Sequence, residues 1–143
     1  MMKFDLFVIG GGSGGVRAAR VASSKGFKTG LAEGWSLGGT CVNRGCIPKK
    51  LYSYASMFSE EVEIMKSFGW TSEKNKFNWN KLRGNKVKEL NRLNEIYLSL
   101  LKKSEVKIFP FNAEFINNNT LKINENIIKA KNILISVGTK PRN

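Results

Sequence analysis

The sequence predicts an α/β fold, a parallel sheet with a small antiparallel β-meander, on three observations. The apolar run Phe4 to Ile9 stops at the glycine-rich stretch Gly10-Gly11-Gly12-Ser13-Gly14-Gly15. A helix-spaced segment and a second short apolar run follow at once. From Val106 onward the chain changes to brief strand-like runs divided by asparagine turns. A helix between two short strands is the βαβ unit of a parallel sheet, whereas closely spaced strands read as antiparallel neighbours.

Phe4 to Ile9 is nearly continuous in apolar character, as a strand buried on both faces should be. Ser13 to Lys25 places Val16, Ala19 and Ala22 on one helix face, small enough to lie close on a sheet, and Gly26 supplies the stop. Thr29 to Ala32 is the second strand, with Glu33 at its end. Lys49 to about Phe68 has helical spacing at Leu51, Tyr54, Ala55, Phe58, Val62 and Met65, and Pro48 suits its first turn. Gly69 to Lys76 reads as a polar loop. Asn78 can cap a long basic helix reaching about Ser104, whose Leu82, Leu90, Leu93, Tyr97, Leu100 and Leu101 read as a core stripe. Val106–Phe109, Ala113–Ile116, Leu121–Ile123, Ile127–Ala130 and Ile133–Val137 are the short strands, a meander returning a last strand to the sheet.

At 143 residues and 41% apolar, the chain suffices for one modest domain with its own core. No apolar run approaches the roughly 20 residues that span a bilayer. The start, Met1-Met2-Lys3-Phe4-Asp5, runs into a strand instead of a signal sequence. The expectation is a cytoplasmic chain with no membrane partner. Lys and Arg number 24 against 11 Asp and Glu, formally +13. A nucleic-acid surface would gather such charge into a stripe or interleave it with aromatics on a sheet. Here the basic residues are scattered, so no nucleic acid is expected.

Gly10, Gly12 and Gly15 form G-x-G-x-x-G between strand and helix. The first glycine allows a sharp turn, the second lets backbone approach a pyrophosphate, and the third lets the helix pack tightly on the sheet. The anion would sit at the helix start, where unpaired N–H groups and the macrodipole favour negative charge. Glu33 stands where an acidic residue accepts hydrogen bonds from ribose hydroxyls. This is a dinucleotide cradle; by itself it does not separate FAD from NAD.

Cys41 and Cys46 are the only cysteines. Five residues apart on a straight α-helix, their Cα atoms would lie about 8.7 Å apart, and a disulfide needs less than about 7 Å. The pair can bridge only across distorted backbone, which Gly45 permits and Pro48, acting on Ile47, encourages. Such an accessible bridge is readily reduced. Two independent thiols remain an alternative, while zinc is disfavoured because the chain has no histidine and no further cysteine. No metal is expected. A nucleotide cradle feeding a close thiol pair points to electron transfer from a bound cofactor to a disulfide.

The run Gly38-Gly39-Thr40-Cys41-Val42-Asn43-Arg44-Gly45-Cys46-Ile47-Pro48-Lys49-Lys50, behind this cradle and Glu33, resembles the FAD- and NADPH-dependent disulfide reductases. Pro48-Lys49-Lys50 and Arg92-Leu93-Asn94-Glu95-Ile96-Tyr97 favour the glutathione reductase branch over the dihydrolipoyl dehydrogenase and mercuric reductase branches. Phe77-Asn78-Trp79 and Ile133 to Gly138 extend the likeness along the chain. The resemblance implies a Rossmann-like FAD-binding domain, incomplete here, with residues 1–143 its N-terminal part. The NADPH-binding and dimer-interface domains would lie outside this chain, and the full-length protein would be a homodimer.

The resemblance also implies roles. Ser13, Gly14, Glu33, Thr40, Cys41, Lys49 and Ala113 would contact FAD, together with the cradle glycines Gly10, Gly12 and Gly15. Ser13, Arg20 and Tyr97 would hold oxidised glutathione. Cys46 would be the thiol beside the flavin, and Cys41 the outer thiol that attacks substrate. Arg20 also reads as a solvent-facing helix residue, and Tyr97 as part of the core stripe. Val137 stands where many relatives carry threonine. A second reading is a flavin-binding module without turnover.

Overall fold

A computed structural model of the chain describes residues 1–71 and 76–141. Its elements are β1 (Met2–Ile9), α1 (Ser13–Ser24), β2 (Thr29–Ala32), α2 (Gly39–Asn43), α3 (Cys46–Ser67), α4 (Trp79–Lys103), β3 (Lys107–Phe109), β4 (Glu114–Asn117), β5 (Thr120–Ile123) and β6 (Asn126–Ile135). The six strands form one sheet in the order β3-β2-β1-β6-β5-β4. Its first four strands run parallel, and β6, β5 and β4 are paired antiparallel. The fold is the expected α/β, Rossmann-like arrangement of a mixed sheet with helices.

β1 lies at the centre because it is apolar on both faces. Phe7 and Ile9 join Phe4, Ala32, Phe109, Leu121, Ile123, Ile128 and Ala130 in a cluster built from strands alone. Its aromatic rings meet edge-on or tilted, Phe4–Phe7 at 5.4 Å and Phe7–Phe109 at 5.6 Å between centroids. Val8 belongs to a second cluster with Val16 and Ala19 of α1, Leu31, Val106 and Leu101 of α4. The two helices therefore cover one face, held there by a few small or branched side chains. Fully burying one such side chain stabilises by about 1.5–3 kcal/mol.

Several expectations need correction. β3 does not join the meander; it extends the parallel sheet beside β2, with Gly30 opposite Lys107 and Ala32 opposite Phe109. The runs Ile127–Ala130 and Ile133–Val137 are one strand, β6, whose first half pairs with β5 while most of its length pairs with β1. The polar residues between them do not break it. Lys131 bonds Asp5 at 2.7 Å, and the Asn132 side chain donates to the Asp5 carbonyl.

The helices also differ in detail. α3 starts at Cys46, so Ile47 is helical, and Pro48 does not displace it. Only Pro48 of α3 and only Leu101 of α4 are fully buried. The remaining α4 stripe is half-buried, and Tyr54, Phe58 and Met65 of α3 are exposed. The two helices meet through Tyr52 stacked on Trp79 at 5.6 Å, while α3 also packs on α2 and α4 on α1, so their spacing reflects helix–helix contacts more than a sheet-facing stripe. Asn78 caps α4 as expected, accepting from the Lys81 N–H at 3.0 Å. The polar loop expected over Gly69 to Lys76 lies partly outside the described residues.

Where β1 and β6 end side by side, α1 is clamped to the sheet. Ser136 donates its N–H to the Ile9 carbonyl at 2.8 Å, and its hydroxyl reaches the Ile9 and Gly10 carbonyls. A Cβ on Gly15 would overlap the Gly10 carbonyl oxygen and lie 2.6 Å from the Ser136 hydroxyl, whereas one on Gly14 would meet nothing within 4 Å. Gly15→Ala should therefore lower unfolding free energy by about 1–3 kcal/mol in urea titrations. Gly14→Ala should stay within about 0.5 kcal/mol of the parent.

Candidate active site

The site grows from the carboxyl ends of β1 and β2, where open α/β sheets bind ligands. Gly10 turns the chain off β1 with φ +106°, hydrogen bonding to the Ala32 carbonyl at 2.8 Å. Helix α1 then begins at Ser13 with extended Gly12 as N-cap; among the described residues no side chain caps it, and its first turn carries no acid. Ser13 and Gly14 are exposed. A 12-residue helix thus points uncapped amides at open space beside a glycine with no side chain to intrude. These features fit the pyrophosphate of a dinucleotide.

Glu33 is half-buried at the end of β2. Its two carboxylate oxygens accept from the Gly11 N–H at 2.7 Å and the Trp35 N–H at 2.8 Å. The acid predicted to meet a ribose therefore also locks the glycine turn to the loop after β2. A carboxylate has about four lone-pair sites, so hydroxyl donors can still be accepted. Ala113 lies on the neighbouring connection, half-buried against the strand cluster. That connection meets Glu33, whose N–H donates to the Phe109 carbonyl at 3.0 Å.

The cysteine segment is seated directly on the cradle. Gly39, with φ +61°, stands so close that a Cβ there would lie 2.8 Å from the Gly12 Cα, and Gly38 N–H donates to the Gly11 carbonyl at 2.8 Å. Thr40 and Cys41 follow in the first turn of α2. After five residues α2 ends, Arg44 and Gly45 leave helical geometry, and α3 begins at Cys46. The distortion needed for a bridge is present, at Arg44–Gly45, where Gly45 was expected to permit it and two residues before Ile47, where Pro48 was expected to act.

Across that break the two cysteine side chains are neighbours. Both cysteines are free thiols, Cys41 half-buried and Cys46 exposed. The Cys41 thiol is hydrogen bonded to the Cys46 side chain, which, with partial burial, pushes its pKa up. The Cys46 N–H and the charge of Lys49 act in the opposite sense without prevailing. Lys49, exposed in the first turn of α3, thus senses the Cys41 sulfur.

Arg20 and Tyr97 occupy α1 and α4, which pack against each other. The Arg20 Nε is buried without a hydrogen-bond partner among the described residues. Buried guanidinium nitrogens are rarely left so. Tyr97 is half-buried against the core cluster. Part of its ring serves packing, as its place on the stripe suggested.

Three contributors were missed by sequence reasoning. Ser136 clamps β6 to the glycine turn. Asn43 donates to the Leu37 and Gly39 carbonyls at 3.1 and 2.9 Å and accepts from the Asn94 side chain at 3.0 Å, tying the segment between the cysteines to α4. The Arg44 guanidinium lies over the Trp35 ring, 4.1 Å from its centroid. Local pattern carries no signal for pairs whose members are nine or more positions apart; only their residue types, amide and aromatic, hint at them.

Known proteins share this arrangement in sequence. Residues 4–143 match the family described as Pyridine nucleotide-disulphide oxidoreductase. A glutathione reductase of Burkholderia cepacia is 44% identical over 96% of this chain and 31% of its own length. The chloroplastic/mitochondrial glutathione reductase of Pisum sativum is 43% identical over 96% of the chain and 27% of its own. Thioredoxin reductase SEP1 of Emiliania huxleyi is 37% identical over 98% of the chain and 31% of its own. The chain thus spans about a third of the length of these relatives. With the match covering nearly every residue from the first strand onward, and a glycine cradle leading into paired thiols, the chain belongs to the pyridine nucleotide-disulphide oxidoreductases.

Proposed function

We propose that the full-length protein is an FAD- and NADPH-dependent glutathione-disulfide reductase, and that residues 1–143 are the N-terminal part of its FAD-binding domain. NADPH binding and the dimer interface would belong to domains outside this chain. The observation that carries the reading is the thiol pair across the Arg44–Gly45 break, seated on the uncapped start of α1. The two relatives named glutathione reductase support the substrate. No described helix is long and apolar enough to cross a membrane. A reducing compartment such as the cytoplasm suits a working dithiol.

In this reading Gly10, Gly12, Gly14, Gly15 and Ser13 hold the pyrophosphate, Glu33 the ribose hydroxyls, and Ala113, Thr40, Cys41 and Lys49 other parts of FAD. When bound, the flavin supplies the two electrons, drawn from NADPH, that keep the pair reduced. Arg20, Ser13 and Tyr97 orient oxidised glutathione. The Cys41 sulfur attacks one sulfur of the substrate disulfide, forming a mixed disulfide and releasing one glutathione. The Cys46 sulfur then displaces the second glutathione and closes the Cys41–Cys46 bridge. Each turnover thus oxidises two protein thiols, breaks one substrate disulfide and yields two glutathione thiols.

Attack requires the Cys41 thiolate, and its hydrogen bond to Cys46 holds the proton in place. The reaction therefore needs a base, which the resembled family draws from a histidine–glutamate pair of the partner subunit. The sign follows directly: with a raised pKa, Cys41 is less ionised at neutral pH than an ordinary thiol. In the reduced protein, Cys46→Ala should move the pH midpoint of Cys41 alkylation downward. An unchanged midpoint would show that the thiol contact does not control ionisation.

Cys41→Ser in the full-length enzyme should lower glutathione-disulfide reduction by at least about 10³-fold while NADPH still bleaches the flavin absorbance. Retained turnover would overturn the role given to Cys41. Turnover of thioredoxin with none of glutathione would instead favour the activity named for the Emiliania huxleyi relative. Arg20→Ala should raise KM for oxidised glutathione by about tenfold or more without loss of flavin from the purified protein. An unchanged KM would remove Arg20 from the substrate site.

A further inference from the structure

Neighbouring residues between the two cysteines are pinned in two different directions. Asn43 is tied through its side-chain amide to the Leu37 and Gly39 carbonyls and to Asn94 of α4, and Asn94 in turn donates to the Leu90 carbonyl at 2.7 Å. Arg44, the next residue, is stacked on Trp35 at 4.1 Å. Trp35 is itself fixed by its N–H to Glu33, the carboxylate that also holds the glycine turn. Both tethers act on the last residues before Gly45, where α2 stops and α3 starts.

The alternative these tethers exclude is continuous helix. Running α2 into α3 would separate the cysteines by about 8.7 Å between Cα atoms, beyond the reach of a bridge. Trp35 is 53% exposed and is not part of either core cluster, so its ring is not held in place by the need for burial. We infer that the Trp35–Arg44 stack and the Asn43–Asn94 bridge are a positioning device that sets the effective concentration of one thiol at the other, and hence the reduction potential of the Cys41–Cys46 couple.

The inference rests on the pair being a redox couple, as proposed above. The equilibrium is balanced: protein dithiol plus oxidised glutathione gives protein disulfide plus two reduced glutathione, with two electrons leaving the protein sulfurs. Loosening either tether populates arrangements in which the sulfurs are apart, which penalises the disulfide and leaves intermolecular exchange untouched. The potential therefore becomes less negative.

The test equilibrates the full-length protein anaerobically in glutathione redox buffers and measures the disulfide fraction at Cys41 and Cys46 by differential alkylation and mass spectrometry. Trp35→Ala keeps the Arg44 charge and removes only the stacking face. It should lower the equilibrium constant for disulfide formation about 3- to 10-fold, or about 15–30 mV. Arg44→Ala should match it, the double variant should add little, and Trp35→Phe should restore most of the parental value. Asn94→Ala should act in the same direction independently. Should Trp35→Ala fail to fold by circular dichroism, exposed Arg44→Ala and Arg44→Lys carry the comparison.

Unchanged constants in folded Trp35→Ala and Arg44→Ala proteins would overturn the positioning role while leaving the redox pair intact. A wild-type protein that forms no Cys41–Cys46 disulfide in any buffer would overturn the redox reading and this inference together.

Discussion

The close approach of Gly39 to Gly12, which a Cβ on Gly39 would prevent, is the constraint on which this molecule depends. It brings the loop entering α2 onto the loop entering α1, so the thiol segment is built directly on the nucleotide cradle. The Gly38 to Gly11 hydrogen bond closes the same seam. Cys41 lies two residues beyond Gly39, so the position of the sulfur is inherited from a contact between two glycines. A Cβ on Gly39 would lie 2.8 Å from the Gly12 Cα and push the cysteine segment away, whereas one on Gly12 would meet Gly39 at an ordinary 3.7 Å. The chemistry of the site is thus set by an absence of atoms as much as by the groups present.

Below that seam, the β1–β6 pair is the platform. Seven registered residue pairs run from Met2–Ile128 to Ile9–Ile135, and both strands end where Ser136 binds back to Ile9 and Gly10. Gly15 lets α1 descend onto this junction, and Val16 and Ala19 hold it there through the second core cluster. The platform fixes the direction in which the amides at the start of α1 point. The orientation of α1 and the packing of the core are therefore two consequences of one arrangement.

The thiols illustrate how local strain is placed and held. Most residues between Gly39 and Pro48 are weak helix formers, so interruption between α2 and α3 is locally inexpensive. Gly45 lowers the cost of interruption, but a permissive residue does not select one conformation from many. Selection comes from partners distant in the chain: Asn94 on α4 and Trp35 after β2. Cys46 is exposed beside this interruption, and its backbone N–H acts on the Cys41 pKa in the sense opposite to its side chain. Ionisation of Cys41 is consequently a balance between a partner that holds its proton and two groups that would release it.

Much of this was legible in order along the chain. The βαβ start, the place of Glu33 at the end of the second strand, the Asn78 cap and the need for a break if Cys41 and Cys46 are to bridge all follow from short-range rules: periodicity, glycine freedom and chain reach. What the sequence could not decide involved partners far apart. Whether Val106–Phe109 joined the meander or the parallel edge, whether Asn132 ended a strand, and how much of the α3 and α4 stripes met a core depend on which surface each segment faces. Residue pattern records that a side chain prefers burial, but the position of the covering surface is a property of the assembled sheet. For the same reason the sequence alone determined that a bridge between the two thiols requires distorted backbone, and only the tertiary structure decided where the distortion sits and which side chains hold it.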